Sequence, residues 1–91
     1  MKFTYIISYD VLDANSADSY QPLYEKIKSY KIWAHITEST WAIISEDSAE
    51  IIRDNLLSTL EEKCRIIVIK SGNEGAWKNV ICSNEWLKKN L

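Results

Sequence analysis

The apolar residues of this chain change period from two to about 3.6 and back, and that alternation limits its possible folds more than any motif does. Phe3-Thr4-Tyr5-Ile6-Ile7-Ser8-Tyr9-Asp10 is crowded with aromatic and β-branched residues and reads as a strand that delivers one carboxylate, Asp10, at its exit. Val11 to Ser19 has no clean period and is rich in turn formers, so a loop is expected there. Gln21-Pro22 opens a helix, since proline at the first helical position lacks only an N–H that would have no partner. Leu23, Ile27 and Tyr30 form its apolar stripe, Glu25, Lys26 and Lys28 face away, and the end is predicted near Lys31. Ile32, Ala34 and Ile36 then alternate with Trp33, His35 and Thr37, the pattern of a half-buried strand. Glu38-Ser39 turns the chain into Thr40 to Ser45, a strand apolar on both faces and therefore central.

Asp47-Ser48-Ala49-Glu50 has capping-box form, with Asp47 as the acceptor and Glu50 three residues on. A second helix is predicted from there to about Glu62. Ala49, Ile52, Leu56 and Leu60 make its stripe, widened by Ile51 and Leu57. Cys64 to Lys70 is continuous and β-branched, which suits a strand buried on both sides. Ser71 to Gly75 holds both glycines and is expected to be a turn or loop. Trp77, Val80, Ile81, Trp86, Leu87 and Leu91 make the tail too apolar to hang free, and Ser83 can cap a short last helix through Asn90.

Strand, helix, strand, strand, helix, strand is the order of the ferredoxin-like βαββαβ plait, an α+β fold with an antiparallel sheet and two helices on one face. Ninety-one residues with 46% hydrophobic content suit one domain, 1–91, with the segment 76–91 docked on it or on a partner subunit. The first and last strands are apolar on both faces, yet two helices cover only one. A homodimer through the open sheet face or its edge is the expected solution.

A net charge of −2 supplies no general surplus of cations for phosphates. No apolar run approaches the roughly 20 residues of a membrane span, so no membrane partner is expected. Cys64 and Cys82 lack zinc or CxxC spacing, which predicts reduced, buried thiols and a cytoplasmic location.

Tyr5-x-Ile7-Ser8-Tyr9-Asp10, the helix from Gln21, His35-x-x-x-Ser39-Thr40-Trp41, the run Ser48 to Asp54 and the Trp86-Leu87-Lys88 tail together resemble the SinR family over nearly the whole chain. More distantly, the strand ending in Tyr9-Asp10 is similar to the second CRISPR-associated adaptation protein and to VapD-like ribonucleases, ferredoxin-like dimers described as metal-dependent nucleases. That resemblance implies a divalent ion near the dimer axis, with Asp10 at the matching position. Proteins of that group usually follow the Asp with a basic segment, whereas here Asp13 and Asp18 follow and the first cation after Asp10 is Lys26.

Two sets of site residues emerge. Mg²⁺ uses one or two carboxylates with water and phosphate completing its shell, so paired Asp10 side chains in a dimer would serve a nuclease, with Ser8 orienting Asp10 and Asp13 assisting. His35, the sole histidine, has the chemistry of a general base. The second set is aromatic. Four Trp and five Tyr are many for this length, and their faces stack nucleobases. Tyr9, Ser8, Trp33, His35 and Trp41 are the candidate ligand-binding residues. The same side chains also serve as core and dimer seam, and Asp10 as a turn-starting residue. The expected function is a non-catalytic binding module, dimeric, holding a nucleotide, a short nucleic acid or a protein partner in defence or counter-defence. The alternative is a Mg²⁺-dependent endoribonuclease or nuclease that uses Asp10.

Overall fold

Each apolar run becomes one element of the fold, and the computed structural model describes residues 1–11, 21–58, 64–72 and 74–91. The elements are β1 Phe3–Val11, α1 Gln21–Lys28, β2 Trp33–Thr37, β3 Thr40–Ser45, α2 Ala49–Leu57, β4 Cys64–Lys70 and α3 Asn84–Asn90. The chain is α+β, with a four-stranded antiparallel sheet in the order β2-β3-β1-β4. That architecture is compatible with the expected plait. The loop after Val11, with Asp13 and Asp18, lies outside the described residues, as does Leu60.

Strand alternation decides the two faces. Tyr5, Ile7 and Tyr9 of β1 share one face with Trp41 and Ile43 of β3, and this face carries the core with Leu23 and Ile27 of α1 and Ile52 and Leu56 of α2. Those four helix residues are fully buried, at about 1.5–3 kcal/mol each. Both helices therefore pack on one side of the sheet.

The other face is partly covered by the tail. Leu87 of α3 is buried, Thr4 Oγ1 donates to the Asn90 carbonyl, and the Ile81 N–H donates to the Ile36 carbonyl at 2.8 Å. Ala34 and Ala42, directly opposed on this face, are buried as well. Their small side chains let the tail approach the sheet closely. The tail thus lies on this chain's own sheet, over the β2–β3 half.

Several boundaries differ from the sequence reading. α1 ends at Lys28 rather than near Lys31, because the Ser29 N–H and hydroxyl and the Tyr30 N–H tighten the last turn onto Glu25, Lys26 and Ile27 carbonyls. The cap of α2 is Ser48, not Asp47: Ser48 is extended (φ −74°, ψ 162°) and its Oγ accepts the Ile51 N–H at 3.2 Å, while the Asp47 N–H donates to Ser45 Oγ. α2 is described to Leu57 with Ser58 at its C-cap, and Ile51 is exposed rather than part of the stripe. Ser83 caps α3 as expected, accepting the Trp86 N–H at 3.1 Å. β4 is an edge strand and is not buried on both sides, since the tail covers the β2–β3 half and leaves Ile67 and Ile69 about half exposed. Cys82 is a free thiol and only partly buried.

Candidate functional site

The residues singled out from the sequence divide between the two faces of the sheet. Ser8 and Asp10 pair with Ile67 and Arg65 of β4 on the face away from α1 and α2. Tyr9, Trp33, His35 and Trp41 belong to the helix-bearing face, where Trp33 opposes Ile43 and His35 opposes Trp41. His35 and Asp10 are therefore on opposite sides, and no single centre contains both.

Asp10 sits at the strand exit as expected, well exposed, with Oδ2 at 3.6 Å from Arg65 Nη1. A shallow pocket of about 270 Å³ is lined by Ser8, Tyr9, Asp10, Arg65, Ile66 and Ile67. The Ser8 hydroxyl accepts a long, 3.5 Å hydrogen bond from Thr40 Oγ1, so it is directed along the sheet rather than held by Asp10. A divalent cation fits this donor set poorly: one carboxylate stands beside a guanidinium, and no group of three or more His, Cys, Asp or Glu occurs among the described residues. Arg65 escaped the sequence reading, although the antiparallel pairing of first and last strands places it opposite Asp10.

The aromatic set is a built cluster. His35 and Trp41 stack face to face, ring centroids 4.0 Å apart and planes 11° from parallel. Trp33 and Tyr24 lean on Trp41 at 5.4 and 5.5 Å with tilted rings. Trp41 is buried, and its Nε1–H donates to Tyr9 Oη at 3.0 Å. The His35 ring is held from the other end, Nε2–H donating to the Glu38 carbonyl at 3.2 Å. The inner member of the stack is thus fixed by packing and its partner by the β2–β3 turn.

Towards solvent the cluster opens. Trp33 is 37% exposed and His35 half-buried. Lys28 Nζ stands 5.3 Å from the Trp33 ring and 5.9 Å from the Trp41 ring, within cation–π range. Tyr24 and Lys28 were not among the expected site residues. Their i, i+4 spacing on α1 is the signal that sets them on one helix face beside the strand carrying Trp33.

No protein-family model matches this chain, and no curated protein matches it. Among the described residues no helix is long and apolar enough to cross a membrane.

Proposed function

We propose that the chain is a ferredoxin-like, non-catalytic binding module that holds a nucleotide or the end of a short nucleic acid on the aromatic cluster, and that it works as a homodimer. The single observation that carries this reading is the fixed His35–Trp41 stack with Trp33 open at its rim and the Lys28 ammonium beside it. Trp33, packed against that stack and 37% exposed, loses little freedom when a base lies on it, and stacking on a protein aromatic is worth about 1–3 kcal/mol per base. An ammonium at that distance supplies the countercharge for one phosphate. The acidic net charge suits a small anionic ligand better than a long duplex. A role in defence or counter-defence rests on the resemblance to the SinR and CRISPR-adaptation proteins.

The test is a tryptophan-fluorescence titration with nucleoside monophosphates and short single-stranded RNA. Wild-type protein should quench saturably, and Trp33→Ala should weaken binding about 5- to 150-fold, the equivalent of 1–3 kcal/mol. Equal affinity in the two proteins, or no quenching at all, would remove the proposal.

The pocket beside Asp10 favours a second reading, a Mg²⁺-dependent nuclease in which two copies bring their Asp10 carboxylates together. Among the described residues of one chain, the pocket offers one carboxylate, Asp10, beside Arg65. Metal-dependent cleavage of labelled RNA or DNA that is lost in Asp10→Ala would make this the better reading.

A further inference from the structure

The two edges of the sheet are protected very differently. β2 is five residues long, its pairing with β3 shifts between His35 and Thr37, and the tail donates a hydrogen bond to it from Ile81. A bulge, a short strand and a covering segment are the means by which edge strands avoid pairing with other chains. β4 has none of them among the described residues. It pairs with β1 over seven consecutive residues without a register shift, contains no proline or glycine, and carries charge only at Arg65 and Lys70.

The polarity of its backbone follows from one hydrogen bond. The Ser71 N–H donates to the Thr4 carbonyl at 2.8 Å, so by alternation Ile69, Ile67 and Arg65 turn their backbone groups towards β1. Ile66, Val68 and Lys70 then direct N–H and C=O out of the sheet. Beside them runs an open groove of about 490 Å³, bordered by Ala49, Glu50 and Arg53 of α2. Ile67 and Ile69 lie half exposed on the other side of the strand.

We infer that the β4 edge is a strand-pairing surface and that its occupant is β4 of a second copy, antiparallel about a two-fold axis at Val68. The inference rests on the homodimer reading above and names its surface. Strand and groove are self-complementary in charge. With Val68 opposite Val68, Arg65 faces Ser71 and Lys70 faces Ile66, so no like charges oppose each other. Ile67 of each copy faces Ile69 of the other, which extends the apolar strip across the seam. The groove carries one acid and one base, Glu50 and Arg53, which stand 3.9 Å apart within the chain, so its border is close to neutral and does not repel a second copy. A highly charged peptide gains nothing from such a border. The result is one continuous eight-stranded sheet.

Subunit number by native mass spectrometry, read together with amide hydrogen exchange, tests this. The wild-type protein should be a dimer, and the Ile66, Val68 and Lys70 amides should be protected and should lose protection on dilution. Ile69→Lys sets a charge at a half-exposed position in the seam and should give a monomer with unchanged tryptophan fluorescence and nucleotide affinity. Should that variant not fold, the wild-type exchange pattern still decides. A monomeric wild type would overturn both the dimer and its seam. A dimer whose three outward amides exchange freely at all concentrations would overturn the β4 seam alone, and the nucleotide titration reports on the aromatic cluster independently of either.

Discussion

Asp10 and Trp33 show how differently two exposed residues can matter. The Asp10–Arg65 pair is solvent-exposed at 3.6 Å, and exposed pairs of this kind contribute about 0.2–1 kcal/mol. Asp10→Asn should therefore change stability by no more than about 1 kcal/mol, as measured by chemical denaturation. Mg²⁺ should leave the wild-type melting temperature unmoved, because one carboxylate beside a guanidinium holds the ion weakly. A rise with Mg²⁺ that Asp10→Asn loses would instead favour the nuclease. Trp33 leans on Trp41 with tilted rings and leaves a third of its surface in water, so its removal should cost binding more than folding. Residue types alone singled out both positions. The partners that set their roles, Arg65 and Lys28, arrive from other elements, and residue types alone did not single them out.

At the scale of elements, the caps and the tail carry the testable energetics. The Ser48 hydroxyl satisfies an N-terminal N–H of α2, and losing such a cap costs about 1 kcal/mol. Ser48→Ala should lower the melting temperature by roughly 4–8 °C, the shift that size of domain shows per kcal/mol. Asp47→Ala should have a smaller effect, since the Asp47 side chain is not the cap. Truncation before Ser83 removes Leu87, whose burial is worth about 1.5–3 kcal/mol, and uncovers Ala34 and Ala42. The truncated chain should melt at least roughly 8 °C lower or aggregate, as followed by circular dichroism and light scattering. An unchanged melting temperature would show that α3 is not part of the folded unit. Helix and strand identities were legible because each depends on a local period. Helix ends were less so, because a serine hydroxyl two residues away can take over a turn or a cap.

For the whole molecule, the balance of charge sets what a ligand can be. With a net charge of −2 and one lysine over the aromatic rings, binding of short single strands should release about one counterion. The logarithm of affinity should fall with the logarithm of salt at a slope of roughly −0.7, measured by repeating the fluorescence titration across salt concentrations. A much steeper slope would point to a cationic surface away from the cluster. By itself the sequence determined the element order, the α+β class and the need to cover a second sheet face, because periodicity and the supply of apolar residues are local and additive quantities. Only the tertiary structure decided that His35 and Asp10 lie on opposite faces, that His35 stacks on Trp41, that the tail covers the β2–β3 half and that β4 is an edge strand of the sheet. Strand order and register set these, and, apart from the short β2–β3 hairpin that brings His35 onto Trp41, they depend on pairings between segments dozens of residues apart that no local pattern encodes.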